Sequence, residues 1–412
     1  MWWENEFLKV RHNELHIDGQ PATSLAERFG TPLLVYSRKR ILANYQRLEH
    51  AFAGLGAKEL RICYAMKANP HPEILKLLRR RGAWIDAVSP GEVEAARRAG
   101  FPSHRILFTG TSLSHEDIRR VFEVDGVTVT IDALEQLELM GEVRERFCPK
   151  KRLNVAVRWN PGLGRGFNPA VVTAGKRAPN GTPIKFGVEE KRVVATFRKA
   201  ISLGFHPVGL HQHLGSGWVE RDYPVVRKAV EKMVRVALRL ERAGYGLKWL
   251  DFGGGFGPRY KQDQRLFPLE RYATVICRLV TESRLSIQAV AVEPGKFLVA
   301  DAGVLLLRVE YLKESYGQLF ACVNGGTFTS LPRLVIYAQA HHEIVNSSKV
   351  RGRKRPITVA GNLCETGDVF AKQRPLPLPR RGDILAVLCA GAYGRSMAST
   401  FNLRDMPREI VL

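Results

Sequence analysis

From residue 61 onward, short apolar runs alternate with longer stretches in which apolar residues recur every three or four positions. The short runs predict strands at 61–66, 83–88, 105–108, 127–131, 153–159, 206–211, 248–252 and 289–293. Between them the helical period predicts helices near 72–80, 90–99, 114–123, 133–146, 189–203, 222–243 and 268–283. Eight strands over about 230 residues come close to the ~250 residues of an eightfold (β/α) barrel. A doubly wound open sheet is the alternative, but its glycine-rich dinucleotide loop would follow the first strand, where "YAMKANP" stands instead. After residue 297 the texture changes. Runs such as "GVLLLRVEYLKES", "LFACVN", "PITVAG" and "DILAVLCAGAY" are separated by turns, which predicts an all-β domain. The opening residues carry short strand-like runs around "HIDG" and "PLLVYS", expected to join that β domain, and helix 38–53 leads into the barrel. The expected divisions are therefore 1–36, 37–296 and 297–412. Segment 161–186 is a long Gly/Pro-rich loop, of a length that in a compact domain is functional or disordered.

Composition narrows the class. At 412 residues with 45% hydrophobic positions, the chain can bury a large core. No apolar stretch reaches membrane-spanning length. The opening "MWWENEFLKV" lacks the apolar region and cleavage pattern of a secretory signal. The six cysteines are scattered with no C-x-x-C pair, which speaks against a zinc or disulfide framework and for a reducing cytoplasm. The net charge of +23 is large. Its clusters ("RKR", "LLRRRG", "VRGRKRP") are short and no nucleic-acid-binding string accompanies them, so it reads as solvated surface, with anion steering secondary.

The chemistry-bearing residues fall just after predicted strands, where a barrel builds its active site. They are Lys67, Asp86 with "SPGE", "TGTS" at 109–112, Asp132, Asn160, "HQHLGSG" at 211–217, "GGGFG" at 253–257 and "EPGK" at 293–296. A lysine ending a buried strand is either a solvated side chain or one aimed at a ligand. Glycines after a strand let a backbone present N–H groups to an anion, and the loops after the last two barrel strands commonly build a phosphate site. His213 is a packed ring, an acid/base or a stacking platform. His211 and His213 stand two apart, but no cysteine or third histidine lies at ligand spacing, so no metal site is expected. Glu293 with Asp86 could form a glycosidase pair, but that would leave Lys67 and the glycine loops unexplained. A lysine, a phosphate cradle and a carboxylate at one barrel mouth together suit pyridoxal phosphate: an amine to bind it, N–H groups for its phosphate, a carboxylate for its ring nitrogen.

In order along the chain, "DGQPATSLAERFGTPLLVYS", "YAMKAN", "DAVSPGE", "HQHLGSG", "DFGGGFG", "EPGK", "GNLCETGD" and "GAYGRSMASTFN" resemble the fold-type III pyridoxal-phosphate-dependent decarboxylases, and within them the diaminopimelate decarboxylases. The resemblance runs over nearly the whole chain. It implies an alanine-racemase-like barrel with a β domain, usually a homodimer with shared active sites, acting on a small amino acid. It implies Lys67 as the Schiff-base lysine, His213 as the ring-stacking histidine and Glu293 as the partner of the ring nitrogen. Ser216, Gly254, Gly255, Pro294, Gly295, Lys296 and Tyr393 stand where the family contacts cofactor or phosphate, with Asp86 and Arg158 near the lysine and ring. Cys364 resembles the cysteine that reprotonates the α-carbon from the partner subunit. Arg333, Tyr337, Glu365, Lys296 and Tyr393 stand at substrate-contact positions.

Two departures concern the substrate's far end. The family usually carries EPGR where this chain has EPGK, so Lys296 keeps charge but loses a bidentate fork. The segment before Arg333, "GGTFTSLPR", also differs from the usual pattern. Decarboxylation of meso-diaminopimelate to L-lysine is the first expectation. Decarboxylation of an ornithine-like or carboxynorspermidine-like compound, or of another metabolite, is the alternative within the class. A non-catalytic binding protein is the alternative outside it, and retention of Lys67, His213, Glu293 and Cys364 together speaks against that.

Overall fold

The computed structural model describes all 412 residues, which divide into two compact units. One comprises Gln46–Gly257 and Leu266–Gly295. The other comprises Met1–Tyr45, Pro258–Arg265 and Lys296–Leu412. No helix is long and apolar enough to cross a membrane.

The first unit is a closed parallel barrel. Its strands are β1 (Glu59–Ala65), β2 (Trp84–Ala87), β3 (Ile106–Phe108), β4 (Thr128–Ile131), β5 (Asn154–Asn160), β6 (His206–His211), β7 (Trp249–Asp251) and β8 (Ala289–Val292). Each pairs in parallel with the next, and β8 pairs with β1 to close the ring. The strands read as apolar runs because both faces are covered, by side chains within and helices without. Cys63, Trp84, Leu107, Ala156, Val208, Trp249, Ala289 and Ala291 form one buried cluster. They come from seven of the eight strands, so they can meet only inside the barrel, where bulky Trp84 and Trp249 are accommodated by small alanines. Gly209 belongs to the same fit, because a Cβ there would run into the Trp249 ring.

Local signals set the helices. Ser89 Oγ accepts from the Glu92 N–H at 3.2 Å to start helix Pro90–Arg98. Ser114 and Asp117 form a reciprocal capping box at helix His115–Phe122. The helix expected at 189–203 begins only at Val193, because Val188–Glu189 pairs with β5 as a short strand and Glu190–Arg192 makes a tight turn. The long 161–186 loop is ordered by Asn160. Its side-chain oxygen accepts from the N–H groups of Gly162 (2.9 Å) and Gly175 (2.8 Å), and its amide donates to the carbonyls of Gly175 and Phe186.

The second unit is built on an eight-stranded sheet, beside a separate small three-stranded one, and the larger sheet includes β9 (Gly303–Ser315), β10 (Gln318–Val323), β11 (Ile344–Asn346), β12 (Lys354–Ala360), β13 (Val369–Pro377) and β14 (Ile384–Val387). As expected, an N-terminal strand joins it: Leu33–Tyr36 pairs antiparallel with β9 and parallel with Arg408–Val411. Within this otherwise β-rich unit, Thr327–Ser330 and Arg333–Ile336 form short helical turns that the all-β pattern did not predict.

Candidate active site

The carboxyl ends of the barrel strands gather the predicted residues of the first unit. Two residues beyond β1, Lys67 lies in a short helical turn, and its Nζ is 2.6 Å from Asp86 Oδ2. Asp86 is 1% exposed and its Oδ1 has no hydrogen-bond partner, so its carboxylate is committed to the lysine ammonium. Arg158, on β5, is buried with its NH1 3.6 Å from Asp132 Oδ1 and its guanidinium over the Phe186 ring.

Glu293 follows β8 and is buried. Its Oε2 lies 3.2 Å from His211 Nε2 and 3.4 Å from His213 Nδ1. These two contacts are not equivalent. The Gly254 N–H donates to His213 Nδ1 at 3.2 Å, so that nitrogen uses its lone pair and carries no proton to share with Glu293. His211 Nε2–H is therefore the donor that fixes Glu293. Burial pushes the Glu293 carboxyl upward, but His211, donating to Oε2, outweighs it and holds it well below the usual carboxylate range. Burial also lowers His213, leaving a neutral ring at neutral pH.

The glycine loop after β7 is shaped by close approach. At Gly254 a Cβ would run into the Glu293 carbonyl; at Gly255, with φ +134°, it would run into the Trp218 ring. The Gly255 carbonyl accepts from the N–H groups of Gly217 (2.6 Å) and Trp218 (2.9 Å), tying this loop to the one bearing Ser216. Gly295 has Ala65 and Ala68 against the space of its absent side chain.

The second unit holds the remaining predicted residues. Lys296 is buried, its Nζ 5.7 Å from the Tyr393 ring centroid, and burial with the nearby Arg333 charge pushes its amine well below the ordinary lysine range. Tyr393 has φ 58°, a left-handed conformation uncommon for a bulky residue and a marker of functional constraint. Arg333 is buried, lies over the Tyr260 ring at 4.6 Å, and donates from NH1 to His342 Nε2 at 2.7 Å. His342 Nδ1–H donates in turn to the Leu388 carbonyl at 2.8 Å, which fixes the neutral tautomer. Tyr337 is half-buried four residues past Arg333 and its N–H donates to the Arg333 carbonyl. Cys364 and Glu365 are exposed, in a turn organised by buried Asp368. The Asp368 Oδ2 accepts from the Leu363 N–H, and its Oδ1 from the N–H and hydroxyl of Thr327.

Sequence reading missed His342, Tyr260 and Asp368, and gave His211 no role. The "HHEI" pair and the "D" of "CETGD" were visible, but nothing local tied them to Arg333 or to the turn at Cys364. Tyr260 lies within a barrel loop in sequence yet folds with the second unit.

The residues fit a pyridoxal cofactor on the structure's own terms. Lys67 offers an amine, on a side chain 36% exposed, beside a buried carboxylate. Glu293 Oε1 is a buried acceptor with no hydrogen-bond partner, as a ring N–H requires. Fold and site define a pyridoxal-dependent decarboxylase, and the family profile described as pyridoxal-dependent decarboxylase, pyridoxal binding domain, matches residues 38–300: the chain belongs to that family. Its cofactor is pyridoxal phosphate. More narrowly, the chain is 37% identical over 404 residues to the diaminopimelate decarboxylase of Methanothermobacter thermautotrophicus, covering 97% of this chain and 90% of the relative. The crystal structure of diaminopimelate decarboxylase from Methanocaldococcus jannaschii in co-complex with L-lysine superposes with a TM-score of 0.87 at 31% identity, covering 99% and 93% of the two chains. The corresponding Helicobacter pylori enzyme complexed with L-lysine gives 0.85 at 29% identity, covering 94% and 93%.

Proposed function

We propose that this protein decarboxylates meso-diaminopimelate to L-lysine with pyridoxal phosphate, as a cytoplasmic homodimer. The observation that carries the reading is the barrel mouth, where Lys67, Asp86, His213 and Glu293 stand together in a chain similar over nearly its full length to diaminopimelate decarboxylases. When bound, the cofactor supplies an electron-withdrawing ring that accepts the electron pair released as the carboxylate leaves as carbon dioxide. Lys67 holds it by its amine, which Asp86 keeps oriented. His213 offers a neutral ring face, Glu293 accepts the hydrogen of the ring nitrogen, and the loops of Ser216, Gly254, Gly255 and Gly295 border the phosphate. Arg158 steadies the neighbouring wall through Asp132. Pro294 stiffens the turn between Glu293 and Gly295. In the second unit Arg333, Lys296, Tyr337, Glu365 and Tyr393 receive the substrate's far end, with Arg333 as the fixed cation for a distal carboxylate. Cys364 Sγ delivers the proton to the α-carbon in the partner's site. The free state of all six cysteines supports the cytoplasmic assignment.

One observation favours a second reading. Lys296 is a lysine whose burial disfavours its charge, which suits a substrate whose far end carries no carboxylate, such as an ornithine-like amino acid. Carbon dioxide release from a panel of diamino acids, with pyridoxal phosphate present, decides between the two. Diaminopimelate is expected to turn over fastest, and Lys296→Arg to raise that turnover a few-fold by adding a bidentate donor. Faster release from ornithine, with no gain from the arginine, sinks the first reading.

A further inference from the structure

Beneath Glu293 lies a layer of side chains that the proposed reaction does not use. His211 ends β6, Asp251 ends β7 in register beside it, and Glu293 follows β8. His211 and Asp251 are each 1% exposed and Glu293 is 5% exposed. One ligand-type atom from each lies within 4.8 Å of those of the other two. Asp251 Oδ1 accepts from the Gly253 N–H at 2.8 Å, whereas Asp251 Oδ2 and His211 Nδ1 have no hydrogen-bond partner.

Two carboxyl groups this close, in a water-excluded barrel, do not both ionise. Only Glu293 has a histidine N–H within hydrogen-bond distance, so the charge settles there. An imidazolium at His211 would leave a buried Nδ1–H without an acceptor, which is more costly than an idle lone pair. A neutral His211 with its proton on Nε2 satisfies Glu293 and leaves Nδ1 a buried, idle lone pair. We propose that His211 and Asp251 are positioning residues for Glu293: Asp251 retains its proton, His211 donates Nε2–H to Glu293 Oε2, and the trio carries one negative charge, on Glu293. The electrostatic surroundings agree. Burial first and the Glu293 charge second push the Asp251 carboxyl well above the usual range; the Gly253 N–H and Arg61 pull the other way, while Asp86 reinforces the rise. Cys63, facing the same groups, is likewise pushed well up and stays a thiol. The consequence for the site rests on the decarboxylase reading: the ring nitrogen meets a single, oriented carboxylate oxygen, Glu293 Oε1, undiluted by a second anion.

Infrared spectroscopy of the full-length protein, both cofactor-free and loaded, tests the charge assignment. At neutral pH the wild type should show the C=O stretch of a buried protonated carboxyl. It should vanish in Asp251→Asn and persist in Glu293→Gln. Absence of the band in the wild type, or its loss in Glu293→Gln instead, overturns the proposal, as does stoichiometric Zn²⁺ binding to the cofactor-free chain that Asp251→Asn abolishes. Because the cofactor-free arm involves no turnover, it stands or falls apart from the substrate reading. For His211, loss of a residue that orients a reacting group costs on the order of 10–100-fold. His211→Leu should lower kcat by about that factor with KM within about two-fold, and shift the visible band of the bound cofactor, while His211→Gln, which keeps a side-chain N–H donor, should recover most of both. Equal behaviour of Leu and Gln variants, or an unmoved band, overturns it.

Discussion

Lys67 and Asp251 make opposite demands on the barrel mouth. Lys67 is an ammonium whose partner is already buried, so its removal strands Asp86 as an uncompensated carboxylate as well as deleting the cofactor's anchor. Lys67→Ala is expected to lack the visible, borohydride-bleachable absorption of the loaded protein, and to lose activity by at least about 10³-fold, as when one member of a catalytic unit is deleted. Peptide mapping of the reduced cofactor onto another lysine would displace this assignment. Asp251, by contrast, is a stability cost. A carboxyl whose folded pKa is raised binds more protons folded than unfolded, so stability falls as pH rises above its unfolded value of 3.8. Asp251→Asn removes that titration and keeps a donor beside His211. Thermal melts should show the variant a few degrees (about 2–8 °C) more stable at pH 7, with the gap closing as pH falls toward 4. A gap that widens on acidification contradicts a protonated Asp251.

At the scale of elements, one side chain holds a long loop. Asn160 at the end of β5 makes four hydrogen bonds to backbone groups between Gly162 and Phe186. Asn160→Ala leaves those groups unpaired at about 1–3 kcal/mol. Limited proteolysis should then cut between residues 161 and 186 several times faster than in the wild type, while cuts elsewhere keep their rate. Much of this architecture was legible beforehand. Parallel strands covered on both faces leave apolar runs, and barrels place reactive groups just after them, so Lys67, Asp86, His213 and Glu293 each declared themselves by position. What stayed hidden depends on packing between sequence-distant segments. Nothing near Arg333 announces that Tyr260 lies under its guanidinium or that His342 fixes its NH1. In sequence His211 reads only as a candidate metal ligand, because its link to Glu293 runs from the end of β6 to the end of β8. The late start of the helix at Val193 has the same origin: Val188 and Glu189 obey β5 rather than their own helical period.

For the whole molecule, the proposed homodimer makes an arithmetic prediction. If each active site takes Lys67 from one subunit and Cys364 from the partner subunit, a two-fold dimer of Lys67→Ala with Cys364→Ala contains one intact site of two. Mixing the two inactive variants after dissociation makes half the dimers hybrid, so activity should return to about a quarter of the wild type. No recovery means that Cys364 serves its own subunit. The sheet unit has a further consequence, in time rather than space. Leu33–Tyr36, four fully buried residues, is sandwiched between β9 and Arg408–Val411. At translation rates of about 5–20 residues per second, this strand leaves the ribosome on the order of tens of seconds before its last partner exists. Throughout that interval "LLVY" keeps at least one apolar edge unpaired, the kind of segment that chaperones shield and aggregates recruit. The newborn chain's solubility thus hangs on a strand made first and finished last.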